Sequence, residues 1–345
     1  MTLAGEAAAP DQLPTTVAYR KRAPLLRFFL RRLATGALTL IVASMLIFAA
    51  TDLLPGSPAS NALGKFATPQ DIRALNEKLG FDHPLPVRYW NWLSGAAQGD
   101  LGDSAVGTAN SGTPAPIWPL IRERLWNSLT LALTAAILLV PLALLFGTIS
   151  ALKAGRLTDH TISTGLLALI SLPEFVAGTL LVLVFFSLLH WLEPNSFIPP
   201  GSAAVEHPKL LVLPVLTLLA ASVAWAARLV RAGMIDVLDS EYVQSARLHG
   251  LPEGRIIRRY ALRNALAPSV QVFAVSIQAL FGGVIVTEVL FSYPGLGAQL
   301  VNAVESHDTT LVQGIALLIA TFYIVVNVVA DVVVVALVPR LRTQL

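Results

Sequence analysis

The 345 residues include no cysteine, 55 % hydrophobic residues, only 13 % Asp, Glu, Lys and Arg, and a formal net charge of +3. A soluble chain carries about 25 % charged residues, so the composition argues for an integral membrane protein. The missing cysteines exclude disulfides and thiolate metal sites.

The chain opens with an Ala- and Pro-rich leader, read as a cytoplasmic tail over 1–24, with a basic cluster at Arg20, Lys21, Arg22 and Arg27. An apolar run from about Phe28 to Ala50 follows. It is long enough to span, since a bilayer takes about 20 residues, and too long for a cleaved signal. The first span is assigned to 25–51, and the next region, 52–126, is polar and turn-rich.

Within that region Thr68 is placed to cap a helix, with Pro69 at its first position and Gln70 and Asp71 in its first turn. Ile72, Leu75 and Leu79 share a face, and Gly80 is the stop. Tyr89, Trp90, Trp92 and Leu93 form an aromatic group suited to a membrane interface. Trp118 and Trp126 have the same character, or belong to contact with a partner protein.

Five further apolar runs cover about 128–152, 161–189, 210–230, 270–291 and 311–338. Charges inside such runs are costly and are functional candidates. Glu174 follows Pro173, which must disturb the third run. Its carboxylate either faces a translocation path or bonds a neighbouring helix. Glu288 precedes the turn "SYPGLG" and either braces it or faces the path. Asp331 and Asn327 form an i, i+4 polar pair on the sixth run, expected to bond to a neighbouring helix. Gly282 and Gly283 permit close helix approach. Arg228 and Arg231 end the fourth run, to anchor it or to pair with Asp236 and Asp239.

Between the fourth and fifth runs lies a polar block, 236–268, containing "EYVQSARLHGLPEGRIIRRYALRNALAP". Asp239 or Ser240 can cap a helix from Glu241, with Val243 and Ala246 on one face. Gly250 ends or sharply turns it. Pro252 and Glu253 open a second helix, in which Ile256, Ile257 and Tyr260 mix with Arg255, Arg258, Arg259 and Arg263. On composition alone this is either an interfacial helix on anionic lipid or a dock for a soluble partner.

Basic residues flank cytoplasmic span ends. With both termini and the 236–268 block in the cytoplasm, 17 of the 24 Lys and Arg lie on that side. The 52–126 region is then extracytoplasmic. No phosphate-binding G-x-x-x-x-G-K-[ST], H-E-x-x-H or G-x-S-x-G is present, so no ATP site, cofactor or catalytic residue is expected in this chain. Apart from Tyr260 the basic residues lack interleaved aromatics, which argues against nucleic acid. An ion-driven secondary transporter would favour inverted repeats and several midplane carboxylates, and only Glu174 is a candidate.

The polar block resembles the signature loop of ABC-importer permeases, with Glu241, Ala246 and Gly250 at the matching positions. Its context, "RRYALRNALAPSV", "EVLFSYPGLGAQLVNAVESHD", "LVPRLR", "LPGSP", "KLGFDHPLPVRYWNWL", "GDLGDS" and "NSLTLAL", is similar to the dipeptide/oligopeptide/nickel permeases over roughly 25–345, in the pattern of the first permease subunit. Departures are Val338 before Pro339-Arg340, His249 before the signature glycine, and Ala267 before Pro268.

The resemblance implies an all-α polytopic membrane protein of the type I ABC-importer permease fold. It has six transmembrane helices, an extracytoplasmic insertion between the first two, and a core over 127–345. It implies a plasma-membrane subunit forming half of a path for di- or oligopeptides, nickel chelates or glutathione-like solutes. Its partners are a second permease, two cytoplasmic ATPases that bind ATP and magnesium, and an extracytoplasmic binding protein. Glu241, Tyr242, Ala246, Arg247, Gly250, Leu251 and Arg255 are the residues expected to couple to the ATPases, within 241–258.

Overall fold

The computed structural model describes residues 23–53, 58–64, 67–199 and 201–337. The expected tail over most of 1–24, "LPGSP" up to Pro58, and "LVPRLR" with Val338 lie outside them. Every named element is a helix. Five are long and apolar enough to cross a membrane: α1 (Ala23–Asp52), α6 (Ile117–Leu152), α9 (Pro208–Leu238), α12 (Leu262–Leu290) and α14 (Thr309–Leu337).

The expected third span, 161–189, is not one helix. It is α7 (Leu157–Ser171) and α8 (Glu174–Val182), the latter prolonged by a π-turn over Leu183–Leu188. The two halves bend by 111°. Proline disfavours helical backbone in the residue before it, and Leu172, before Pro173, is extended at ψ 129°. Fifteen residues rise about 22 Å, short of a hydrocarbon core of about 30 Å. So six spans become five continuous helices and one broken pair.

Three helices outrun their apolar runs because packing continues past the lipid pattern. α6 starts at Ile117 because Ile117 and Ile121 are fully buried against Leu101, Leu296 and Ile315. α9 runs on to Leu238, with Met234 buried. α12 is reached without interruption from α11 (Glu253–Arg255) through a π-turn at Ile256–Ala261. The second helix of the polar block is therefore the root of the fifth span.

α9 is the centre of the main core. Its Ala224, Ala226, Ala227 and Met234 are fully buried among side chains of α6, α7 and α12. Small residues on α9 let the neighbouring backbones approach closely, which is how helices associate without a hydrophobic drive in lipid. α1 lies outside this core, along α14. Arg32 of α1 meets Asp331 of α14 at 3.2 Å. Asp331 thus bonds between helices as expected, whereas the Asn327 amide donates to the Tyr323 carbonyl within its own helix.

Between α1 and α6 four short helices form the insertion: α2 (Pro58–Leu63), α3 (Pro69–Leu79), α4 (Leu85–Ala97) and α5 (Ala105–Ser111). α3 begins and ends as its sequence requires. The Thr68 hydroxyl accepts from the Asp71 amide, the Thr68 amide donates to the Asp71 carboxylate, and Gly80 closes the helix at φ +70°. Bonding to Thr68, chiefly by its side chain, holds the Asp71 carboxyl below its ordinary value.

The aromatic group of α4 divides. Tyr89 and Trp92 stack on Phe48 of α1, and the Tyr89 hydroxyl meets Ser44, whereas Trp90 stays 67 % exposed. Half of the expected interface belt is thus an internal clasp, reinforced by Arg88–Asp52 at 2.9 Å.

Candidate functional site

The end of the bundle opposite the insertion carries the polar block. α10 (Glu241–Leu248) sits between the end of α9 and the start of α11. Ser240 takes the cap position in extended backbone, but its hydroxyl turns back to the Val237 carbonyl at 2.5 Å. Gly250 is left-handed at φ +74°, a conformation that costs an L-residue about 1–2 kcal/mol. Its amide donates to the Arg247 carbonyl and that of Leu251 to Ala246, closing the turn.

Under the turn lies a small core of its own. Val243 and Ile256 are fully buried, Ala246 is 8 % exposed, and Leu251 packs beside them. Ala246 therefore faces inward, and its small side chain serves the turn's own packing. Arg247 is held by Glu253 at 2.7 Å and reaches the Leu238 carbonyl. The Asn264 amide of α12 donates to the Tyr242 hydroxyl at 3.0 Å. The loop is thereby tied to the roots of both α9 and α12, while Glu241, Arg255 and Leu248 face outward, Leu248 at 88 % exposure.

A second bracing point holds the turn between α6 and α7. Asp159 is 3 % exposed. It accepts from Arg231 Nε at 2.7 Å and Nη2 at 2.6 Å, from Ser150 at 2.5 Å and from the Gly155 amide at 2.9 Å. Arg231 thus pairs across the bundle rather than with Asp236 or Asp239, and Arg228 is exposed with no ion pair among the described residues. Asp159 and Arg231 stand 72 positions apart, and no local pattern in the sequence signals such a pair.

The two candidate path carboxylates have distinct surroundings. Glu174, at the start of α8, is half-buried and accepts from the Thr287 hydroxyl of α12 at 2.8 Å. Its carboxylate fills the space over Gly283, whereas Gly282 has nothing near it, so close approach is needed only at Gly283.

Glu288 is fully buried. It accepts from the Ser128 hydroxyl at 2.5 Å and the Gly297 and Ala298 amides at 2.7 and 3.1 Å. The last two amides open α13 (Leu296–Glu305). A Cβ on Gly295 or Gly297 would run into the Glu288 carboxylate, which explains the glycines of "PGLG". In this conformation Glu288 braces the turn and has no exposure to a path. Burial, then the nearby Glu288 charge, pushes the Tyr293 phenol up, and its hydroxyl donates to the Asn127 carbonyl.

Two cavities are prominent. A groove of about 640 Å³ follows the α7–α8 bend, walled by Leu142, Phe146, Leu166, Leu172, Leu180 and Val223. Thr161 is its one hydroxyl-bearing wall residue, so it has nothing with which to hold the charged ends of a peptide. A polar groove of about 440 Å³ lies on the insertion, but its cations are engaged: Lys78 donates to the Gly112 carbonyl and Arg88 pairs with Asp52. No cluster of three metal-ligating side chains occurs among the described residues.

Long apolar helices around α9, a proline-broken span and a polar turn between α9 and α12 define a multi-pass membrane protein. Residues 143–343 match the family model for the binding-protein-dependent transport system inner membrane component, and residues 25–132 match its N-terminal companion. The chain is 35 % identical over 318 residues to a glutathione transport system permease of Escherichia coli K12, covering 92 % of this chain and 99 % of that one. It is 30 % identical over 315 residues to a probable peptide ABC transporter permease of Sinorhizobium fredii, covering 91 % and 99 %. The chain belongs to this family, as an inner-membrane permease of an ABC importer of the peptide/oligopeptide/nickel type.

Proposed function

We propose that this permease forms half of an ATP-driven path for peptides or glutathione-like solutes and receives its energy through the loop over 241–258. The observation that carries the coupling role is the joint itself: α10 stands on a small core, with Gly250 at φ +74°, and side chains lock it to the roots of α9 and α12. A push on α10 then moves two spans directly, because neither connection contains a flexible linker. In this reading Glu241, Tyr242, Ala246, Arg247, Gly250, Leu251 and Arg255 build the joint, with Glu241, Arg255 and Leu248 facing the ATPase.

ATP and magnesium belong to two partner ATPases on the cytoplasmic side, where both termini also lie. The insertion faces outward toward a substrate-binding protein, and a second permease completes the path. Glu174, half-buried at the bend, is the residue assigned to the path. The substrate class rests on the relatives, named for glutathione and peptide transport.

The test is uptake into liposomes holding this chain, its second permease and both ATPases, with the binding protein outside. Uptake with ATP sealed inside, and none with a non-hydrolysable analogue, is expected. Uptake driven by an ion gradient without ATP would overturn the reading.

A further inference from the structure

The segment between α12 and α14 is a hairpin built on α13 and pinned at both ends. It leaves α12 through Ser292 at φ +51° and joins α14 through His307 at φ +59°, both left-handed. Such backbone persists in non-glycine residues only where surrounding contacts hold it. At the first end the hold is Glu288 and Ser128. At the second it is Asp308, 2 % exposed.

The Asp308 carboxylate joins two helix starts. It accepts from the Leu311 amide of α14 at 3.2 Å and from the Ala105 amide of α5 at 3.1 Å, and the Ser104 hydroxyl donates to it as well. Ser104 in turn caps α5 by accepting from the Gly107 amide at 2.8 Å. The Thr310 hydroxyl accepts from the Ala105 amide at 2.9 Å. Asp308 has no cation partner among the described residues, so its charge rests on hydrogen bonds and the positive ends of the two helices. Below it one apolar cluster is shared by the insertion, α6, the hairpin and α14, through Leu101, Ile117, Leu296, Ala303 and Leu311.

We propose that Asp308 and Ser104 are positioning residues for transport, which fix the insertion to the hairpin so that the two move as one plate at the outer mouth. This rests on the import reading above. A binding protein landing on the insertion would then displace the hairpin and the top of α14 directly. The insertion is thereby a working part of the mouth, not an appendage, and Ser104–Asp308 is a buried side-chain hydrogen bond that joins it to the hairpin's second end.

The experiment uses the complete reconstituted importer, supplied with binding protein loaded with glutathione or a dipeptide. Asp308→Asn, Ser104→Ala and the double variant are compared per assembled complex. Each single change is expected to lower maximal uptake about tenfold, a typical inter-site coupling. The half-saturating concentration of binding protein should hold, since docking itself survives. The double variant should be no worse than the poorer single, because both break one link. Hydrogen exchange in 105–111 and 291–308 should quicken together.

Wild-type uptake in assembled Ser104→Ala, or losses that multiply in the double variant, would overturn the proposal. Should Asp308→Asn not assemble, Ser104→Ala carries the test alone, because it removes one hydroxyl. Absence of ATP-dependent uptake in the unsubstituted complex would fail the import reading instead, and is scored separately.

Discussion

Replacing Arg231 by Met tests how the turn between α6 and α7 is held. Arg231 supplies two charged donors to Asp159, at 2.6 and 2.7 Å. After the substitution Asp159 keeps Ser150, the Gly155 amide and Ser163, three neutral donors, and no cation. Removing one partner of a buried ion pair costs about 3–5 kcal/mol. The Arg231 side chain is 30 % exposed against 4 % for Asp159, so water reaches the rim and the lower end, about 3 kcal/mol, applies. Replacing both residues with neutral ones of similar shape removes the stranded charge, and such swaps of buried pairs are often neutral. The assay is a double-mutant cycle of Arg231→Met and Asp159→Asn, read by thermal denaturation of the purified permease in detergent. Arg231→Met should be markedly less stable than the double variant. If the double variant is as unstable as the single, the stranded charge is not the cause and the reasoning fails.

Gly250→Trp should insert and assemble normally yet uncouple ATP hydrolysis from uptake; coupling at the wild-type ratio in proteoliposomes would contradict the joint. Ala246→Leu, which overfills the core beneath the turn, should destabilise the loop by about 1–3 kcal/mol, seen as faster hydrogen exchange over 241–256. For α3, the folded Asp71 carboxyl titrates below its ordinary value of 3.8. Its contribution is therefore present above that pH and is lost as pH falls through the lower, folded value. Amides of 71–75 should lose protection at acid pH in the natural chain, after correction for intrinsic rates, with a smaller change in Thr68→Ala.

The polar block shows how far local sequence carries a site. Gly250 and the flanking caps dictate a sharp turn, because only glycine takes φ +74° without strain, and the structure has that turn. The inward placement of Ala246 was not legible, since it depends on Ile256 folding back beneath α10. The break at Pro173 was legible as a disturbance, because proline acts on its immediate neighbour. The 111° angle was not, being set by how α7 and α8 pack on α9.

Taken alone, the sequence determined the membrane class, the approximate spans, the insertion and the Thr68–Gly80 helix. Each follows from composition or from interactions within a few residues. Only the tertiary structure decided that Arg231 answers Asp159, that Glu288 holds the "PGLG" amides, that Tyr89 and Trp92 clasp α1, and that Asp308 joins the insertion to the hairpin. Three of these four link residues more than 40 positions apart, where helix packing chooses the partner and no periodicity records it. The Glu288 contact spans only a turn, yet its burial depends on α6 coming alongside.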